Sequence, residues 1–175
     1  MHAGKAGYYN VNCYLSWIFI DEALQRMMFY LACPICKKKV MEDNGAYQCM
    51  NCQKNYENVV PTYNFSMKIS DVSGTITCNL LGETGDDIMG MNCKDFFGIH
   101  QDIEQVKNIR SNQCFQNFNV TLRAKHDYGR AGASQDEHSG LRFTVIRVSP
   151  HNFQKENNEL LKMLSAYQHK EDITV

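Results

Sequence analysis

Long hydrophobic runs are missing from this sequence of 175 residues. The most apolar stretch, 13–20, has eight residues, whereas a transmembrane helix needs roughly 20. Asp21 and Glu22 follow it without a small-x-small cleavage pattern, so we interpret it as a buried strand and not as a signal peptide. Proline and glycine number only three and 11, which excludes collagen-like and proline-rich chains. We find no internal repeat and expect no membrane association.

An excess of charge of one sign and the common catalytic motifs are also absent. Lysine and arginine total 18 against 19 aspartates and glutamates, a net charge of −1. This balance excludes a uniformly basic surface but allows a local basic patch. There is no glycine-rich phosphate loop, no Gly-x-Ser-x-Gly elbow and no His-Glu-x-x-His. We therefore expect a folded protein that is not an enzyme.

Four of the eight cysteines form a metal-binding pattern. Cys33, Cys36, Cys49 and Cys52 make two Cys-x2-Cys pairs separated by 12 residues, a spacing typical of structural zinc sites. Four cysteine ligands leave no coordination position for water, so we predict one structural Zn²⁺. Asn44 and the glycine after it would form the tip of a hairpin between the pairs. The alternative is a disulfide pair or a redox Cys-x-x-Cys.

The other cysteines lie among apolar residues and are interpreted as small core side chains with free thiols. Free thiols indicate a reducing compartment, the cytosol or the nucleus. These four cysteines are Cys13, Cys78, Cys93 and Cys114.

Five segments have the composition or alternation of β-strands, namely 11–20, 63–70, 75–81, 118–125 and 141–148. In the second, Tyr63, Phe65, Met67 and Ile69 alternate with polar residues, which predicts a half-buried strand. Helical spacing of apolar residues predicts a helix beginning at Asp86 and Asp87 and running past Phe97, a second stretch over 99–106, and a C-terminal helix over 151–168.

Five strands with a helix between the third and fourth predict an oligonucleotide/oligosaccharide-binding (OB) barrel, a five-stranded Greek key. A β-sandwich is the alternative. We divide the chain into a disordered leader (1–7), the OB domain (8–150) with a zinc ribbon inserted at 28–60, a C-terminal helix (151–170) and a tail (171–175). The ribbon between strands one and two and the 126–140 loop between strands four and five would border one face.

Several segments resemble the C-terminal DNA-binding domain of the replication protein A large subunit. They are Tyr-Leu-Ala-Cys-Pro (30–34), Lys-Lys-Val (38–40), Asn-Gly-x-Tyr-x-Cys (44–49), Ile-Ser-Asp (69–71), Thr-Cys (77–78), Phe-x-Val-x-Leu-Arg-x-Lys (118–125) and Thr-Val-x-x-Val-x-Pro (144–150). The resemblance implies a nuclear, zinc-ribbon OB-fold that binds single-stranded DNA in replication or repair. It also implies a heterotrimer with other OB-fold subunits, docked through the C-terminal helix.

The chain departs from this family in three ways, one of which is its divergent residue choice, with many Asn and Met. Strand three ends Asn79-Leu80-Leu81, where a base-stacking aromatic is expected, and the 126–140 loop is long and glycine-rich. These departures leave open a specialised paralogue, such as the replication protein A-like subunit with which ciliate telomerase holds telomeric DNA. Telomerase components would then be partners.

Single-strand binding needs cations along a groove and exposed aromatic rings for the bases. Segment 121–147 carries five arginines and lysines against three carboxylates, whereas segment 86–105 carries one lysine against five carboxylates. Trp17 and Phe19 are assigned to the core, and core is also the alternative for Phe143. The lysine run 37–39 is a second phosphate-binding candidate. The predicted DNA contacts are Tyr128, Lys125, Arg123, Lys68, Arg130 and Phe143.

The C-terminal helix carries an apolar stripe, which we predict docks partner subunits. In an isolated chain we expect this stripe to fold back on the barrel or to pair with a second copy. The alternative function is therefore an assembly platform with little DNA affinity of its own. The stripe comprises Phe153, Leu160, Leu161, Leu164 and Tyr167.

Overall fold

The computed structural model describes residues 6–19, 28–43, 45–126 and 140–171. Within these ranges no helix is both long and apolar enough to span a bilayer. The strands are β1 (Gly7–Ile18), β2 (Phe29–Ala32), β3 (Met41–Asp43), β4 (Ala46–Cys49), β5 (Lys54–Tyr56), β6 (Val60–Asp71), β7 (Gly74–Leu81), β8 (Asn117–His126) and β9 (Leu141–Pro150). The helices are α1 (Thr84–Met89), α2 (Cys93–Ile99), α3 (Ile103–Gln113) and α4 (Phe153–Glu171).

Five of the strands close into a barrel in the order β1-β8-β9-β7-β6, and β6 pairs again with β1. The contacts are antiparallel except for β7 with β9, which is parallel. The three helices α1 to α3 lie between β7 and β8 in the chain. The OB barrel predicted from the sequence is confirmed, and the sandwich alternative is wrong because a sandwich has no closing pair.

The barrel core follows the alternation seen in the sequence. Tyr63, Phe65, Met67 and Ile69 of β6 all point inward and are buried. Asp71 ends this strand at a tight turn, where its carboxylate accepts hydrogen bonds from Ser73 and from the next backbone N–H, and β7 follows as the second strand of the predicted hairpin. Three of the four cysteines assigned to the core are buried, and Cys114 is half-buried.

The assignment of Trp17 and Phe19 to the core is wrong. Leu15 pairs with Ile69, but Trp17 pairs with Lys68, so β1 contains one extra residue, Ser16, at a β-bulge. The bulge reverses the alternation, because side chains of successive residues point to opposite faces. Trp17 and Phe19 are therefore on the outer surface, 43% and 41% exposed.

The helical region between β7 and β8 also differs from the prediction. The single helix expected to run past Phe97 is two short helices, since α1 ends at Gly90 in the left-handed region with φ of 67°. Asn92 then caps α2 by accepting a hydrogen bond from the Asp95 N–H. Asp102 caps α3 in the same way. Polar side chains of this acidic segment thus satisfy backbone N–H groups at helix starts.

The ribbon is a separate small sheet attached to the barrel. β2 extends the barrel sheet by pairing with the first residues of β6, and β3, β4 and β5 form an independent three-stranded antiparallel sheet. The buried cluster of the ribbon consists of Cys33, Val40 and Cys49, with partly buried side chains packed against it. So small a core cannot hold 28–60 together by apolar burial alone.

The C-terminal helix α4 projects from the barrel. Its base is attached by polar contacts: Asn12 Nδ2 donates to Glu156 Oε1 over 3.4 Å, and His151 Nε2 lies 2.5 Å from Glu156 Oε2. The side chains of Leu161 and Leu164, like the rest of the apolar stripe, are exposed. The expectation that the stripe folds back on the barrel is therefore wrong.

Candidate nucleic-acid interface and metal centre

The four cysteines predicted as ligands lie at one point of the ribbon. Their sulfurs are all within 4.8 Å of one another. The Sγ–Sγ distances are 3.8 Å between Cys33 and Cys52 and 3.5 Å between Cys36 and Cys49. A tetrahedron of Zn–S bonds of about 2.3 Å has edges of about 3.8 Å. The cluster therefore has the size and the donor set of a tetrahedral thiolate site and can hold a metal ion.

Both Cys-x2-Cys pairs fold into the same turn. The Lys37 N–H donates to the Cys33 carbonyl over 3.0 Å, and the Gln53 N–H donates to the Cys49 carbonyl over 2.8 Å. Lys37 and Gln53, each directly after the second cysteine of its pair, have positive φ angles of 60° and 53°. This repeated backbone strain aims two sulfurs from each turn at a common centre.

Hydrogen bonds favour thiolates at two of the ligands. Burial acts to raise the pKa of the Cys33 thiol, but hydrogen bonds from the backbone N–H groups of Cys36 and Ile35 outweigh it and lower the pKa to about 6. The backbone N–H of Lys38 lowers the pKa of Cys36. The hydrogen bond with Cys36 and burial raise the pKa of Cys52 to about 11, so the metal-binding thiolate form is favoured at Cys33 and Cys36 and not at Cys52.

A band of outward-facing cations crosses four strands of the barrel. Lys125 on β8 pairs with Arg142 on β9, and Lys68 on β6 pairs with Thr77 on β7. The parallel register of β7 with β9 places Thr77 and Arg142 at neighbouring positions. With strands about 4.8 Å apart, the band runs roughly 14 Å along the surface.

A second, polar row lies beside this band. Arg123 pairs with Thr144, Thr144 with Asn79, and Asn79 with Ser66. The Ser66 hydroxyl donates to Asn79 Oδ1 over 2.8 Å. The outer surface formed by Arg123, Lys125, Arg142 and Lys68, with these polar residues between them, is called the cationic face below.

The ribbon and the last pair of the β8–β9 hairpin lie at opposite ends of β6 and β7. The ribbon joins the start of β6 through β2. At the other end, His126 and Leu141 pair at the last position of the β8–β9 hairpin, next to the 127–139 segment. The chain thus leaves the barrel at both ends of the face, as the OB topology predicts, and most of the predicted 126–140 loop lies outside the described residues.

A groove of about 620 Å³ lies between the ribbon and the barrel, where β7 ends. Tyr30 and Lys37 line it from the ribbon, and Leu81 and Lys94 line it from the barrel. The Tyr30 hydroxyl donates to the Lys37 carbonyl over 3.1 Å, which holds the ring at the groove wall. The groove extends the surface available to a chain-like ligand beyond the cationic face.

The predicted contacts divide into three groups. Lys68, Arg123 and Lys125 are exposed and lie on the cationic face. Phe143 is on the inner side of β9 and packs against the core, in agreement with its alternative interpretation. Tyr128 and Arg130 lie outside the described residues, as do Asn44, 1–5 and 172–175.

Two aromatic rings at the end of β1 are paired with cations. The sequence-based assignment of both rings to the core did not predict these pairs. The Arg110 guanidinium lies over the Trp17 ring, 4.6 Å from its centroid, and Lys68 Nζ lies 5.6 Å from the centroid of Phe19. The one signal in the sequence was Ser16, a polar residue that interrupts the apolar stretch where the bulge occurs. Arg142 belongs to the basic segment 121–147 but is not among the predicted DNA contacts.

The barrel with its inserted ribbon is the architecture of a known domain family. Residues 8–160 match the Replication factor-A C terminal domain. The chain belongs to this family. The match spans the ribbon, the barrel strands and the first eight residues of α4.

Curated relatives are replication protein A and replication factor A proteins. Replication factor A protein 1 of Schizosaccharomyces pombe is 23% identical over 142 residues, which cover 79% of this chain and 22% of that protein. The replication protein A 70 kDa DNA-binding subunit of Tetrahymena thermophila is 34% identical over 114 residues, which cover 63% of this chain and 17% of that protein. The chain thus spans about a fifth of the length of these relatives.

Solved structures share the fold. A replication protein A heterotrimer bound to single-stranded DNA superposes with a TM-score of 0.77 at 23% identity, over 93% of this chain and 36% of that chain. Yeast replication protein A bound to single-stranded DNA gives a TM-score of 0.73 at 21% identity, over 91% of this chain and 86% of that chain. At these identities the likeness establishes the fold alone.

Proposed function

We propose that this chain is a single-stranded DNA-binding module of a replication protein A-like complex that acts in the nucleus. The observation that carries the proposal is the cationic face, a strip of arginines and lysines on the outer surface of an OB barrel of the replication factor-A C-terminal family. Cations spaced along a groove bind the phosphates of a flexible strand without reading its sequence. The module binds DNA and catalyses no reaction.

The proposed resident metal is one Zn²⁺, held by Cys33, Cys36, Cys49 and Cys52. Four thiolates at tetrahedral spacing suit zinc and leave no open coordination position, so its role is structural. By holding the ribbon against the start of β6, the ion fixes one wall of the groove beside the cationic face.

The apolar stripe of α4 supports a second candidate function, assembly with partner subunits. Phe153, Leu160, Leu161, Leu164 and Tyr167 are all exposed on a helix that projects from the barrel. A stripe of this kind suits packing against helices of other OB-fold subunits in a heterotrimer. Assembly and DNA binding use different surfaces, so one chain can perform both.

The DNA-binding proposal is tested at Lys125. Fluorescence anisotropy with a labelled 16-nucleotide oligo(dT) should show weaker binding by Lys125→Ala. The log–log dependence of affinity on salt should also be less steep by about 0.7, the value for one phosphate contact on a single strand. Lys162→Ala, a lysine on α4 away from the barrel, is the matched control and should leave both quantities unchanged.

The affinities of the two variants test the DNA path, and the sequence preference of the wild-type chain tests the kind of module. Equal loss in Lys125→Ala and Lys162→Ala indicates a nonspecific charge effect and contradicts a DNA path across the cationic face. If affinity and salt dependence are unchanged in both variants, the DNA path lies instead along the lysine run 37–39. Preference for G-rich over random strands by wild type supports the telomeric paralogue, whereas equal affinity supports a general replication module.

A further inference from the structure

Trp17 and Phe19 form an exposed pair of aromatic rings where β1 meets β6. Trp17 pairs with Lys68 across the strands, and the Phe19 N–H donates to the Ser66 carbonyl over 3.2 Å. The two rings therefore lie directly beside the edge of the cationic face that β6 forms. Each ring has a cation over it, Arg110 on Trp17 and Lys68 on Phe19.

This exposure depends on a specific feature of the backbone. Without the bulge at Ser16, the alternation would carry Trp17 inward with Leu15. The chain instead inserts one residue and turns two large aromatic side chains toward solvent. Bulges that redirect side chains occur preferentially beside functional sites.

The neighbouring strands supply cations but no rings. The outward positions of the described strands β6, β7 and β9 carry no aromatic side chain; on β7 they are Thr75, Thr77, Asn79 and Leu81. A single strand lying along the cationic face would therefore find phosphate partners on these strands and rings only on β1 at its two edges, with Tyr8 opposite Arg123 at the β8 edge. The nearest rings at the β6 end of the face are Trp17 and Phe19.

We infer that Trp17 and Phe19 stack bases of single-stranded DNA, while Arg110 and Lys68 hold the adjacent phosphates and brace the rings. This inference rests on the proposed function and assigns its base contacts to the β1 bulge. Stacking on an aromatic ring tolerates every base, and a cation over the ring adds a favourable interaction. The alternative is that the rings serve only as packing surface for the aliphatic parts of the two cations.

The sequence permits a direct optical test, because Trp17 is its single tryptophan. The wild-type chain is titrated with unlabelled 16-nucleotide oligo(dT) while tryptophan emission is recorded, and a parallel titration follows anisotropy of the labelled strand. The inference predicts that emission is quenched along the same binding curve as the anisotropy. Binding by anisotropy with unchanged emission would overturn it and leave the proposed function standing. Absence of binding in both measurements would overturn both proposals.

Paired substitutions separate stacking from packing. Trp17→Leu and Phe19→Leu keep apolar bulk but remove the ring, and should each weaken binding about fivefold to a hundredfold. Trp17→Tyr and Phe19→Tyr keep a ring and should remain within a few-fold of wild type. Thermal unfolding of each variant checks the fold. If the leucine variants bind like wild type, or if tyrosine rescues neither position in folded protein, the rings do not stack bases.

Discussion

Removing the metal should unfold the ribbon and leave the barrel folded. In the buried cluster of the ribbon, Cys33 and Cys49 are proposed ligands, which leaves Val40 as its one other buried member, with partly buried side chains packed against it. Burial of a valine contributes about 1.5–3 kcal/mol. Structural zinc binding by small peptides is worth about 10–16 kcal/mol at pH 7. Binding of the ion therefore contributes several times more free energy than the burial of Val40.

Hydrogen exchange followed by mass spectrometry measures this difference region by region. The protein is compared before and after treatment with a chelator under reducing conditions, with metal content measured in both samples. Backbone amides of β3, β4 and β5 should lose their protection. Amides of the β6–β7 hairpin should keep theirs, because the barrel has its own buried core.

Substitution provides the matched comparison. Cys49→Ser should lower the zinc content well below one equivalent and give the same ribbon exchange as chelation. Cys114→Ser, a half-buried cysteine outside the cluster, should retain one equivalent. Unchanged ribbon protection in protein shown to be metal-free would refute the reasoning, as would full zinc content in Cys49→Ser.

Two further predictions concern assembly and packing. Leu161→Glu combined with Leu164→Glu should abolish co-purification with partner subunits and leave single-strand binding within a few-fold of wild type, because α4 projects away from the cationic face. Gly85→Ala should lower the free energy of unfolding by about 1–3 kcal/mol, because the added Cβ would lie 2.5 Å from the Tyr63 ring. Gly98→Ala meets no atom within 4 Å and should be neutral or stabilising by up to about 1 kcal/mol in chemical denaturation.

The assembly experiment has a charge-matched control. Asn158→Glu combined with Ala166→Glu adds the same two charges on the polar side of α4 and should keep the partners. Loss of partners in this control, or loss of DNA binding with retention of partners in the leucine double variant, would contradict the assignment of the stripe. For the glycine pair, equal stability of the two variants would show that Tyr63 moves aside without cost.

The parts of the fold that sequence predicted are those governed by local patterns. Alternation in β6 and the Cys-x2-Cys spacing each depend on a few consecutive residues, and both matched the structure. The turn at Asp71 follows from side chains that hydrogen-bond to their own backbone, which is again a local property.

The errors arose where tertiary context decides. A single polar residue in an apolar strand, here Ser16, does not by itself specify a bulge, so the orientation of Trp17 could not be read from composition. The single helix expected from Asp86 past Phe97 includes Gly90, whereas in the structure this glycine ends α1. The apolar stripe of α4 was expected to pack against the barrel, but α4 projects from the barrel and the stripe is exposed.

The contact residues were only partly accessible from the sequence. Arg123, Lys125 and Lys68 were identified by their outward positions on predicted strands, but their common face depends on the pairing of β7 with β9, which no local pattern specifies. For the same reason Arg142 and Arg110 received no individual role.

The central claim is that this chain binds single-stranded DNA through the cationic face. The most direct measurement titrates labelled single strands and a duplex of equal length with the wild-type chain at about 50 and about 200 mM salt. With about four phosphates contacted, the log–log slope for single strands should be about −3, and the duplex should bind more weakly. Duplex affinity equal to that for single strands, or no salt-dependent single-strand binding by the folded, zinc-loaded chain, would contradict the account.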